Sequence, residues 1–229
     1  VRMRRIAPFI AGILLVVSTA YAEDRMVDQI VADINGEAIS RFDVERFWRL
    51  EALLNGQNWR GTPTIAIMGP ALIRFLNRSL ILEEMDRLGS MPDPNLEMNT
   101  VYREFLAYFR SDDERRLFLS LVSSGEQEMT AMIFRQKQLM VFMQKRVDLY
   151  VAVTPGMVEE ELKRITGGAE ITPATRQNMR RQIEKRLILQ QQKDVINQWL
   201  KDLHRRRKVR ILVPWAPDPF ASDNGPAGR

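Results

Sequence analysis

Ile30-Val31-Ala32-Asp33-Ile34-Asn35-Gly36-Glu37-Ala38-Ile39-Ser40 is the stretch on which the reading of this chain turns. Val27 to Ile34 reads as a short strand with Ile30, Ala32 and Ile34 on one face, the two-residue period of a half-buried strand. Asn35-Gly36 supplies two residues that tolerate positive φ, the strongest short-range signal for a tight hairpin. Glu37-Ala38-Ile39 is the brief return strand. Ser40 then caps a helix, and Asp43 three residues on approximates a capping box. A lone hairpin is marginal in water, so these strands need a further partner.

That partner lies at the far end of an otherwise helical chain. The first helix runs to about Leu54, with Val44, Phe47, Trp48 and Leu50 or Leu53 as its apolar side. Residues 55–70 hold Gly56, Gly61, Pro63, Gly69 and Pro70 and read as a loop with one helical turn near Ile65. Pro70, at a first-turn position, opens a second helix to Leu88, where Leu72, Phe75, Leu76, Leu80, Ile81 and Met85 recur at helical spacing. Gly89 is its C-cap, and Met91-Pro92-Asp93-Pro94 is a break. Helices follow over about 96–109, after the capping box Ser111 to Glu114, and over Glu126 to about Tyr150. Thr154-Pro155 and Thr172-Pro173 open two more by the cap-plus-proline logic, the first ending near Ile165 before Gly167-Gly168. The second is the longest, reaching about Arg206 with Ile183, Leu187, Ile188, Ile196, Trp199, Leu200 and Leu203 as its stripe. Val209 to Val213 is a closing strand, predicted to pair with the first. The expected fold is mainly α, one helical domain over residues 23–213 with a small β element joining the N-terminal hairpin to the C-terminal strand. Residues 214–229 hold four of the eleven prolines and little hydrophobicity after Trp215, and are predicted to be loose.

Residues 1–22 read as a secretory signal. Arg2, Arg4 and Arg5 precede an apolar run from Ile6 to Val17, and Ala20-Tyr21-Ala22 is a small-residue cleavage site. The run is short for a membrane-spanning helix. Cleavage near Glu23 is expected, with an uncleaved membrane tether as the alternative. Function outside the cytoplasm argues against chemistry that depends on ATP or NAD(P)H.

The net charge of +5 includes the three leader arginines, so it does not argue for nucleic acid as a partner. The chain has no cysteine, which excludes thiol chemistry and thiolate zinc sites, and one histidine. That histidine, His204, sits in the run His204-Arg205-Arg206-Arg207-Lys208 and reads as part of a solvated helix end, where cations offset the dipole. Docking of anionic lipid or an acidic segment is the alternative reading of this cluster. Glu159-Glu160-Glu161 and Glu83-Glu84 fan around their helices and form no catalytic set. No metal-ligand spacing or phosphate-binding glycine loop is present. No catalytic residue, cofactor or metal is expected.

The order of these elements resembles the SurA family of periplasmic folding factors. The resemblance rests on Ile30 to Ser40 with Asp43, on Leu76 to Gly89, on Arg135-Gln136-Lys137-Gln138-Leu139 with Val147, on Val153 to Glu159, and on the closing Val209-Arg210-Ile211. It spans most of residues 27–213. It implies a helical chaperone module closed by the C-terminal helix, located in the periplasm. Family members often carry a parvulin-type prolyl isomerase domain after the Thr-Pro helix. Here only about ten residues separate Ile165 from the last helix, where such a domain needs on the order of ninety. The family's isomerase histidines have no counterpart either. The resemblance therefore implies an ATP-independent holdase without isomerase activity.

Its partners would be unfolded or partly folded envelope proteins, with peripheral contact to the membrane or the barrel-assembly machinery and no nucleic acid. No oligomeric state is read from the sequence. The alternative is a non-catalytic adaptor with one dedicated protein partner. Flexible, polarizable methionines suit adaptable binding surfaces, and the chain has twelve. Met129, Met132, Met140 and Met143, with Phe105, Tyr108 and Phe109, are the candidate client contacts, each also readable as ordinary helix packing. Trp59, in the glycine-containing loop 55–61, reads equally as a further candidate contact or as cover for the core. Trp48 and Trp199 read as core anchors, and Trp215 as packing where the tail leaves the domain.

Overall fold

The computed structural model describes residues 28–89 and 95–217. The expected signal, Val27 of the first strand, the Met91–Pro94 break and the tail beyond 217 lie outside the described residues. Three strands form an antiparallel sheet: β1 (Ile30–Ile34), β2 (Glu37–Ser40) and β3 (Val209–Ile211), in the order β2-β1-β3. Ile34 faces Glu37 on one side and Val209 on the other, so the closing strand pairs with the opening one. Asn35 (φ 55°) and Gly36 (φ 93°) take the left-handed conformations that a tight hairpin requires. Asp33 accepts a bond from the Gly36 N–H at 3.3 Å and one from Arg210 Nε at 3.3 Å, tying the turn to β3. As the central strand, β1 buries Val31 and Asp33 as well as Ala32 and Ile34, so its expected one-sided alternation is lost.

Among the described residues seven helices follow β2: α1 (Arg41–Leu54), α2 (Ile65–Arg87), α3 (Met98–Ala107), α4 (Asp112–Leu121), α5 (Glu126–Asp148), α6 (Pro155–Thr166) and α7 (Pro173–Arg206). The capping box at Ser40 is complete: its hydroxyl accepts the Asp43 N–H at 3.1 Å, and the Asp43 carboxylate accepts the Ser40 N–H at 3.0 Å. At α4 only half a box forms. Ser111 accepts the Glu114 N–H, but the Glu114 carboxylate reaches back to the Arg110 N–H at 2.8 Å instead.

The start of α2 differs from the sequence expectation. Pro70 lies inside the helix, not at its first turn. Its missing N–H removes one bond near the helix start, while the Thr64 carbonyl still accepts from Met68 at 2.9 Å. Met68, Gly69, Ala71 and Leu72 are all buried, so tertiary packing extends the helix through the proline. By length and hydropathy alone α2 would pass for a membrane span. Its apolar face instead lines the core beside the sheet and α7.

One expectation at the C-terminus is corrected, that for His204. Trp215 and Ala216 pack on the main core, where the tail leaves the domain. This segment crosses α2 at Gly69, where an added Cβ would lie 3.1 Å from the Trp215 carbonyl oxygen. His204 is not part of a solvated end. It is buried, with Nε2 2.7 Å from Asn77 Oδ1 on α2, because its face of α7 is the one that meets α2.

Three apolar clusters result. The main one joins the sheet, α2, Leu139 of α5 and Trp199 and Leu203 of α7. The second joins the end of α1, Trp59, α3, α4 and Met129 and Ile133 of α5. Trp48 packs against both. The third is small: Val158 and Leu162 of α6 against Ile183 of α7.

Candidate functional site

The structure scatters the sequence-predicted contact residues among different environments. Trp59 is buried, not exposed in its loop: its ring meets Phe118 edge-on at 5.2 Å, and Arg49 Nη1 donates to its carbonyl at 2.5 Å. A buried arginine bonded to the loop backbone is what draws that loop inward. Phe105 and Met129 are wholly buried in the second cluster, at the centre of the α3–α5 contact. Phe109 is half-buried there, 5.2 Å from Phe105 and 5.6 Å from Phe118. Met132 is half-buried, with Arg46 Nη2 3.4 Å from its sulfur. Tyr108 is exposed at the end of α3. Of the methionines named from the sequence, Met140 is the exposed one and Met143 lines a cleft.

That cleft lies between the C-terminal third of α5 and the C-terminal half of α7. Its walls are Met143, Arg146, Val147 and Tyr150 on one side and Val195, Ile196 and Trp199 on the other, with Asp194 and Asp202 among the lining residues. Its volume is about 410 Å³, within the range of clefts that hold small ligands or single side chains. Helical geometry explains the α5 side. Met140, Met143 and Val147 follow one another at three- and four-residue steps, hence on one face. Tyr150 comes just after the helix, held by its N–H to the Val147 carbonyl at 3.0 Å. Upstream on α5, Met129, Ile133 and Leu139 are covered by other elements. Past Leu139 the cover is partial: Val147 is buried and Met143 half-buried, while Met140 and Tyr150 are 62% and 61% exposed.

The polar groups of the cleft are few. The Arg146 guanidinium lies over the Trp199 ring at 4.6 Å and 5.9 Å from the Tyr150 ring centre. Trp199 is largely buried, and its indole N–H has no hydrogen-bond partner among the described residues. Asp194 accepts from Gln190 at 2.9 Å and Asp202 pairs with Arg205 at 2.6 Å. The floor of the cleft is the outer side of the main core, since Met143 and Trp199 belong to both. Trp199, read from the sequence as a core anchor, is thus an anchor and a wall at once.

Beyond the cleft mouth, the α5–α6 connection is fastened to α7. The Ala152 N–H donates to Gln191 Oε1 at 3.1 Å, and Gln191 Nε2 approaches the Met157 sulfur at 3.9 Å. Among the described residues no cluster of three or more His, Asp or Glu side chains is placed to hold a metal ion.

Sequence reasoning missed Val147, Tyr150, Val195 and Ile196 as a group, and Arg146 altogether. The available signal was the apolar period of α5 continuing past Met143 to Val147 and Tyr150. Comparison with protein families, curated proteins and solved structures returns no match to this chain.

Proposed function

We propose that this protein is an ATP-independent holdase of the periplasm that binds unfolded or partly folded envelope proteins in the α5–α7 cleft. The observation that carries this reading is a cleft whose walls are mobile or aromatic side chains, Met143, Tyr150 and Trp199, continued along α5 by the exposed Met140. Methionine has three rotatable bonds and a polarizable sulfur, so it adapts to many apolar shapes. The apolar side chains grouped along this cleft are the surface that a client's apolar side chain would cover.

Binding of this type needs no fuel. A chaperone that prefers the unfolded chain holds it by mass action and releases it when the client folds or inserts. Individual contacts are weak, so many sequences are accepted and none is held permanently. The sequence resemblance to the SurA family supports the same reading.

The test is suppression of aggregation of an unfolded outer-membrane barrel by the purified protein without nucleotide, against an inert exported protein at equal concentration. Near-stoichiometric suppression is the expected result. No suppression by a folded, monodisperse protein would overturn the holdase and favour an adaptor with one dedicated partner.

A further inference from the structure

Resting on that reading of the cleft, we infer that its preferred occupant is an extended client segment in which a large apolar side chain is flanked by a carboxylate. The argument is one of unmet donors. Arg146 stacks on Trp199 and Tyr150, yet it makes no ion pair or hydrogen bond with any described residue. The surface arginines elsewhere commonly have carboxylate partners, among them Arg74 with Glu51, Arg87 with Glu84 and Arg135 with Asp86. A guanidinium on an aromatic face is positioned by the stacking while its N–H edge stays available to an acceptor.

The second observation is independent. Trp199 is 9% exposed and its buried N–H is without an acceptor among the described residues. Buried tryptophans ordinarily satisfy that group. The Trp199 N–H is buried beneath the cleft wall, so Arg146, stacked on that ring, is the donor that an occupant meets. A purely apolar occupant leaves Arg146 unmet. An occupant carrying oxygen beside its apolar group satisfies it, and a carboxylate does so best because Arg146 is charged.

Asp202 is paired with Arg205, whereas Asp194 keeps its charge because its partner Gln190 is neutral, so the preference rests on direct contact of the client carboxylate with Arg146. Among the charged residues lining the cleft, Arg146 alone lacks a recorded polar partner.

The experiment uses the full-length protein and short labelled peptides with a central phenylalanine flanked by glutamate, glutamine or lysine. Fluorescence anisotropy should show the glutamate peptide binding about tenfold more tightly than the lysine peptide, as expected for one charge-assisted bond. Arg146→Gln should remove the difference, and Arg146→Glu should invert it in favour of lysine. Trp199→Phe keeps an aromatic face, smaller than indole, and loses the N–H. It should weaken all three peptides, with circular dichroism reporting the fold.

Equal binding of the three peptides, or a lysine preference in the unaltered protein, would overturn the inference. If aggregation suppression persists in that case, the holdase reading stands and only the charge preference fails. If no peptide binds and no aggregation is suppressed, both fail together.

Discussion

Single residues show how burial and charge divide the labour in this molecule. Glu84 is a buried carboxylate gripped through Nε and Nη2 of Arg87, both at 2.7 Å, with Arg206 at the end of α7 and Arg207 just beyond it within 3.9 Å. The Arg87 bonds hold its pKa below the ordinary 4.5 against the opposing effect of burial, and the charges of Arg206 and Arg207 add to the lowering. A carboxylate with a depressed folded-state pKa adds stability that is fully present above its unfolded value. That stability is lost as pH falls through the folded value. Glu84→Gln should therefore cost about 1–2 kcal/mol at neutral pH and make the acid limb of the stability curve shallower. Urea melts from neutral pH down to pH 3 would check this, and parallel curves for the two proteins would contradict it.

The cleft and the second cluster give a contrasting pair. Tyr150 is exposed and Met129 is wholly buried. Tyr150→Ser should change stability by less than about 0.5 kcal/mol, while Met129→Ser should cost several kcal/mol through a cavity and a buried hydroxyl. Only Tyr150→Ser should lower client holding without lowering the melting temperature. Aggregation assays paired with thermal melts separate the two effects.

Among the elements, helix ends set by adjacent residues were legible and ends set by distant ones were not. Ser40, Thr154 and Thr172 each accept a backbone N–H three residues on, and the helices begin after them as the sequence predicts. The start of α2 was not legible. Thr64 makes no side-chain cap there, and the helix passes through Pro70 because Met68 and Gly69 are covered by the core and the Trp215–Pro217 segment. That cover comes from residues about 146 positions away, so no local pattern records it. The capping box at Ser40 predicts a measurable cost. Ser40→Ala should destabilise by about 1 kcal/mol. Gly69→Ala tests the distant contact: a Cβ at 3.1 Å from the Trp215 carbonyl must push the segment outward. Its signature is faster hydrogen exchange around 213–217, with α2 itself unchanged. Unaltered exchange there would show that the segment yields freely.

Across the whole molecule, α7 is the element that decides what is one unit. Its C-terminal half supplies Trp199 and Leu203 to the main core, and β3 beyond it completes the sheet. Its N-terminal half meets α6 in a small cluster of its own. The closure of the chain was legible, since an isolated hairpin with a distant strand has one economical solution. The cleft was not, because whether a helical residue is wall or core depends on which neighbours cover it. Met129 and Met140 carry the same side chain on the same helix and differ only in that cover. Leu203→Ala and Leu162→Ala exploit this division. Both residues are buried, and the same truncation at each removes the same atoms. In the main core the loss should cost about 3 kcal/mol and lower the melting temperature of the whole domain. In the α6 cluster the loss should open α6 and the first turns of α7 locally, because few other elements hold them. Hydrogen exchange should then show α6 amides exchanging fast while the β1 and α2 amides keep their protection. Deleting residues 173–213 removes the main-core contribution together with β3 and should leave no cooperative unfolding at all. Were Leu162→Ala to lower the protection of β1 and α2 as much as Leu203→Ala does, the α6 cluster would be part of a single cooperative core, and α7 would transmit loss of packing along its full length.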